Sequence, residues 1–180
     1  MAFWLATLLP FILFPTYLPL ANQIAIAALF ALSVDLILGY AGIVTLGHAM
    51  FFGLGAYCAG VISVRGWGEP LTGLLAAGLF AGIVGFVASF LVTRVQHLAL
   101  IMVTLGLGFL THELANALHG LTGGTDGLRG IRTWPVLGQF RFDMWGYTSY
   151  GYALAVLFIC FLFSRLLVNS GFGLALRGIR

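Results

Sequence analysis

The sequence predicts an all-α membrane protein: a polytopic transmembrane helix bundle with about six spans in this chain and glycine-rich packing between them. Three observations predict it. Hydrophobic residues fill 61% of the 180 positions while charged residues fill 7%, whereas a soluble domain carries about 25% charged residues. Apolar windows of about 20 residues, the length a helix needs to cross a hydrocarbon core, recur along the chain. Glycine supplies 25 residues, and many sit inside these windows, where they let helix backbones approach closely.

Six windows can be drawn, at approximately 3–20, 21–40, 43–64, 71–93, 97–117 and 147–168. The first holds Pro10, Pro15 and Pro19, which would kink it or leave part of it non-helical. The fourth, Leu71 to Thr93, contains no charge. A β-barrel would require strands alternating apolar and polar residues, and no such alternation is visible. Gly78 and Gly82 form a GxxxG, while Ala49/Gly53 and Ala56/Gly60 are small-xxx-small pairs, each placing small residues on one helix face.

Composition also excludes several classes. The chain is too apolar for a disordered tail and has too few cysteines, two, for a disulfide scaffold. Its eight arginines form no basic cluster, which argues against a nucleic-acid partner. Cys58 and Cys160 lie in apolar runs, where a thiol acts as a small hydrophobe. Met1 to Trp4 lacks the basic region of a cleavable signal, so the N-terminus is expected to be mature membrane sequence.

Ionisable residues inside spans are functional candidates because burying them without a partner costs several kcal/mol, on the order of a lost ion pair. Asp35 and Glu113 could each form a substrate ammonium site or a proton relay, or lie within a turn or two of water. His48 could bind a ligand or hydrogen-bond to a neighbouring helix. His112-Glu113 begins like a zinc-protease motif, but Asn116 stands where the second histidine belongs. Gly123-Gly-Thr-Asp-Gly127 lacks the Gly-Lys-Ser/Thr of a phosphate-binding loop and reads as a turn. No enzymatic or cofactor-binding motif emerges, so any ATP-driven work must be done by another chain.

Leu38 to His48 places glycines at 39, 42 and 47, with Thr45 and His48, between two spans. Such a break is either a tight turn or a point where a helix N-terminus faces into the membrane and can receive a carboxylate. On the second reading Gly39, Gly42, Thr45 and His48, with Glu113, are candidates for the substrate path. The last stretch, Ser170 to Arg180, is amphipathic. It could dock on a protein groove through Phe172, Leu176 and Ile179, with Arg177 and Arg180 at the rim, or lie on anionic lipid.

Three segments resemble the LivM-type permease subunits of branched-chain amino acid ABC transporters: Asp35 to Tyr57 with its Gly-Tyr-x-Gly and Leu-Gly-His-Ala pattern, Leu121 to Leu128 with Thr-Gly-Gly, and Gly171 to Arg180. Gly171 departs mildly from the bulkier residue common there. The resemblance implies the N-terminal portion of a longer permease, with 1–168 as its transmembrane domain and 169–180 beginning a cytoplasmic coupling loop. It further implies a second permease subunit, two cytoplasmic ATP-binding subunits, an extracytoplasmic solute-binding protein and residence in the bacterial inner membrane. Phe172, Leu176, Arg177 and Arg180 would then contact the ATPase. Permeases for urea and short amides share part of the pattern; a stand-alone carrier or a membrane scaffold would be different classes.

Arginine counts do not orient the chain. With the N-terminus inside, Arg94, Arg165, Arg177 and Arg180 are cytoplasmic and Arg65, Arg129, Arg132 and Arg141 lie outside, four against four. ATPase docking selects this orientation, which places 118–146 outside and 169–180 inside. Single cysteines at Thr133 and Ser170, in a background without Cys58 and Cys160, test it. An impermeant maleimide applied to intact cells should label position 133 and spare 170; the reverse pattern would invert the topology.

Overall fold

The computed structural model describes residues 7, 11, 15–40, 42–95, 98–136, 138, 140, 142–143, 146–171 and 173. Six α-helices stand among them: α1 Leu18–Asp35, α2 His48–Val64, α3 Pro70–Val92, α4 Leu98–Ala117, the single turn α5 His119–Thr122, and α6 Tyr147–Val168. Among the described residues four helices are long and apolar enough to cross a membrane: Leu18–Tyr40, Pro70–Val92, Leu98–Ala117 and Tyr147–Val168. The all-helical expectation holds. Large apolar side chains face outward, with Leu75 72% and Leu98 75% exposed, as befits helices whose solvent is lipid.

The chain divides into two compact units, Met1–Gly42 with Phe140–Arg180, and Ile43–Gln139. In the first, α1 packs on α6 around Leu18, Ala25 and Tyr150. Asn22 Nδ2 donates to Ser149 Oγ at 3.0 Å, and Tyr150 OH donates to the Thr7 carbonyl at 2.7 Å. Most of the expected first span lies outside the described residues. Where they resume, Pro15–Tyr17 is a 3₁₀ turn and Leu18 opens α1 with Pro19 in its first turn. A first-turn proline gives up no helical hydrogen bond, so Pro19 begins a helix where the sequence reading placed the end of one.

At its other end α1 runs into a π-helical segment, Leu36–Tyr40, a wider turn often associated with functional sites. Gly39 lies in it, and a methyl group there would come within 2.8 Å of Asp35 Oδ1. The missing side chain thus leaves room for the Asp35 carboxylate to fold back along its own helix.

In the second unit, α2 and α3 form an antiparallel hairpin held by small residues. A methyl added to Gly55 would sit 3.8 Å from Ala77 Cβ, and one added to Gly73 3.9 Å from Ala59 Cβ. Gly55/Ala59 and Gly73/Ala77 are each spaced by four and line one face. By contrast, Gly53, Gly78 and Gly82 face open space, and Gly60 receives Leu128 and Ile131 of a loop rather than another helix. The pairs singled out from sequence are therefore not the ones that join helices within this unit.

The loop after α5 straps the hairpin end. Ser63 Oγ donates to the Arg132 carbonyl at 2.7 Å, and the Trp134 amide donates to the Gly68 carbonyl at 2.8 Å. Gly68 is buried, and any Cβ there would collide with the Arg132 carbonyl. The strap puts residues 63–69 and 128–134 on one side of the membrane, which requires α3 and α4 to go across and return.

Because the α2–α3 seam has room for one methyl and no more, Gly55→Ala should leave detergent unfolding temperature nearly unchanged. Gly55→Leu should destabilise by about 1–3 kcal/mol through overpacking, read as a lower unfolding temperature and membrane yield. Equal behaviour of the two variants would refute the seam.

Candidate functional site

Residues 43–47 are not helical, and α2 begins only at His48. Its 17 residues extend about 25 Å, short of a hydrocarbon core of about 30 Å. The irregular segment precedes it, and one bond fixes its place against α4. The Leu46 amide donates to Thr104 Oγ1 at 3.2 Å, while that hydroxyl donates back to the carbonyls of Leu100 or Ile101 at 2.9 and 3.1 Å. Thr104 is 5% exposed and is the seventh residue of α4, about 9 Å from that helix's start. The break is therefore docked on α4 about 9 Å from that helix's start, with Gly47 buried and Ile43, Val44 and Leu46 facing outward. The unwound segment thus leads into the start of α2 against the side of α4.

Two of the sequence candidates meet there. Thr45 Oγ1 and His48 Nδ1 are 3.1 Å apart, and His48 Nε2 is buried with no hydrogen-bond partner among the described residues. Gly47 caps α2 and no side chain caps its first turn. Gly47 is buried, and a methyl on it would touch Thr104 Cβ at 3.4 Å. Gly42 has φ +67°, a left-handed conformation that suits glycine.

A cavity of about 740 Å³ runs along α2 and α4, from Leu46 and Leu105 at the break to Ile62 and Thr122 at the far end. Its lining is almost wholly apolar, including Met50, Leu54 and Phe109, with Tyr57, Thr111, His112 and Thr122 as polar exceptions. Pockets of this size and character accept apolar ligands oriented by a few polar groups. Glu113 is exposed and is not among the lining residues. It lies nine residues beyond Thr104, about 13 Å along α4, so it does not join Thr45 and His48. Gly39 and Gly42 belong to the other unit.

The Thr-Gly-Gly-Thr-Asp-Gly segment is a tight turn, as read from sequence. Thr122 Oγ1 contacts the carbonyls of Ala115 and Leu118 and accepts the Gly124 amide at 3.3 Å. Gly123, Gly124 and Gly127 have φ of +78°, +62° and +72°, so each glycine meets a conformational need. Asn116 Nδ2 lies 3.3 Å from His112 Nδ1. Among the described residues no group of three potential metal ligands comes together. Of the coupling residues, Phe172, Leu176, Arg177 and Arg180 lie outside the described residues.

Sequence reasoning missed Thr104, whose only signal is a hydroxyl in the apolar run Leu98 to Leu110. It also missed the partners of the strap, Ser63, Trp67, Gly68 and Trp134, for which a Trp-Gly ahead of Pro70 was the available hint.

Membrane-length helices, an unwound segment docked on α4 and an adjoining apolar cavity describe a polytopic membrane protein. The family profile described as branched-chain amino acid transport system / permease component matches residues 16–180. The chain belongs to that family, a transport family, and is a multi-pass protein of the inner membrane. It is 31% identical over 127 residues to the high-affinity branched-chain amino acid transport system permease protein LivM of Escherichia coli (strain K12), covering 71% of this chain and 30% of that protein. To the protein of the same name from Salmonella typhimurium it is 30% identical over 122 residues, 68% of this chain and 29% of that protein. The alignments thus cover less than a third of these curated relatives. No solved structure shows a significant match.

The opposite φ signs of the two glycines yield a contrast. Gly42→Ala should destabilise by about 1–2 kcal/mol for its left-handed backbone. Gly47→Ala, at φ −78°, should cost less, its methyl resting on Thr104. Unfolding temperatures in detergent measure both; a larger loss for Gly47→Ala would show the break to be docked differently.

Proposed function

We propose that this chain serves as membrane permease component of an ATP-driven importer for branched-chain amino acids in the bacterial plasma membrane. The family match over residues 16–180 carries this reading, and the geometry supports a path for the solute. An amino acid with an aliphatic side chain presents a carboxylate and a small apolar group. The uncapped N-terminus of α2 favours the first through its unpaired amides and partial positive charge, and the apolar cavity beside it suits the second. His48 Nε2, buried without a partner, supplies a polar atom at their junction. Gly39, Gly42, Thr45 and His48 are the proposed path residues. Glu113, exposed and about 13 Å along α4 from Thr104, is left out.

The importer needs partners: a second permease subunit, two cytoplasmic ATP-binding subunits that perform the hydrolysis, and an extracytoplasmic solute-binding protein. Residues 1–168 act as the transmembrane domain, and 169–180 begin the segment that docks on an ATPase. Phe172 and Leu176 enter an apolar groove there while Arg177 and Arg180 meet its rim. The chain itself needs no catalytic group. Urea or a short amide would find few hydrogen-bonding partners along so apolar a cavity.

Reconstitution with the partner subunits tests this. Uptake of leucine, isoleucine and valine should require ATP hydrolysis. Arg177→Glu with Arg180→Glu should lower solute-stimulated hydrolysis by about tenfold or more, through like-charge repulsion against an acidic rim, and leave solute capture by the binding protein unchanged. ATP-independent uptake by the chain alone would make it a carrier; unchanged coupling would remove 169–180 from the ATPase contact.

A further inference from the structure

The strapped end of the α2–α3 hairpin carries an arrangement that solute transport does not use. The rings of Trp67 and Trp134 stack with centroids 6.3 Å apart and an interplanar angle of 28°. Each remains about half exposed. Trp67 Nε1 donates to Thr72 Oγ1 at 2.8 Å, and Thr72 is in turn held by the Glu69 carbonyl at 3.1 Å. The aromatic pair is thus fixed from within.

The strap brings Arg65 and Arg132 to the same hairpin end. Ser63, two residues before Arg65, holds the Arg132 carbonyl. Both arginines are exposed, and neither side chain has an ion pair or hydrogen bond among the described residues. Arg129 differs: it is paired with Asp126 at 3.1 Å. Val64 beside Arg65, Ile131 beside Arg132 and Leu75 in the second turn of α3 are exposed and apolar, and Glu69 at the same end is half-buried. One hairpin end therefore carries exposed aliphatic, aromatic and cationic side chains together. That set of chemistries is the one a bilayer surface offers partners for, in acyl chain, glycerol level and phosphate.

We propose that this hairpin end is a phospholipid head-group site, in which Arg65 and Arg132 hold lipid phosphate oxygens and the Trp67–Trp134 pair lies at the glycerol level. Guanidinium groups suit phosphate because their donors form a planar fork. An acidic soluble protein could also meet two arginines, but it would leave the neighbouring Leu75 and Ile131 without an apolar environment; lipid covers them. The site rests on membrane embedding alone and stands whichever solute is carried.

The test uses the full chain with Trp4→Phe and Trp145→Phe, which leaves only Trp67 and Trp134, in phosphatidylcholine vesicles with and without phosphatidylglycerol. A spin label near the glycerol end of an acyl chain should quench their fluorescence more strongly than one near the methyl end, and aqueous iodide should quench least. Phosphatidylglycerol retained in detergent, counted by native mass spectrometry, should fall about fivefold for each arginine removed in R65Q/R132Q, and less in R65K/R132K, which keeps the charge. Equal retention by wild type and R65Q/R132Q would overturn the proposal. Iodide as the strongest quencher would also overturn it, placing the tryptophans in water and leaving the surface to a soluble partner. The quenching arm keeps both arginines, so it stands even where the glutamine variant fails to fold.

Discussion

A backbone amide that leaves a helix inside a membrane has no water to bond to, and each unsatisfied group costs several kcal/mol, about the full transfer penalty. The second unit is organised around meeting that demand at one point. The Leu46 amide, released where the chain unwinds between Gly42 and His48, is taken by Thr104 Oγ1. Thr104 can accept it because its own hydrogen goes to the carbonyls of α4 one turn back. That bond fixes the start of α2 against α4 and puts Leu46 at one end of the cavity. The π-helical segment Leu36–Tyr40 handles a similar demand differently, keeping its bonds along the chain while widening the turn.

Glycine has three separate jobs here. At Gly55 and Gly73 it lets two helices touch. At Gly42, Gly123, Gly124 and Gly127 it permits positive φ. At Gly68 it clears a passage for another stretch of backbone. The three demands tolerate different replacements, since only the first admits a methyl with neither backbone strain nor collision.

Much of the fold was legible because lipid imposes a coarse rule: long apolar windows with little charge become helices, and those at 71–93, 97–117 and 147–168 agree with α3, α4 and α6 to within a residue or two. The break around Gly42 to His48 was legible too, because glycines cluster there with two polar side chains. Helix boundaries near proline were less so. Pro19 could be read as a disruption or as a start, and only the local backbone decides between them. The small-residue seam was present in the sequence as Gly55/Ala59 and Gly73/Ala77, but many equivalent spacings compete in so glycine-rich a chain. Which face meets a neighbour depends on helix rotation, which spacing alone does not supply. Glu113 shows the same limit: its charge marked it, yet it is absent from the cavity lining.

The strap also imposes an order of assembly. The bond from Ser63 to Arg132 joins residues 69 apart in sequence, so it cannot form until α3 and α4 have both been threaded. During synthesis the α2–α3 hairpin must therefore wait in the bilayer with Gly68 uncovered, held only by its small-residue seam. A chain arrested before residue 134 would carry the two helices without their fastening. The hairpin end becomes a record of whether the next span was completed.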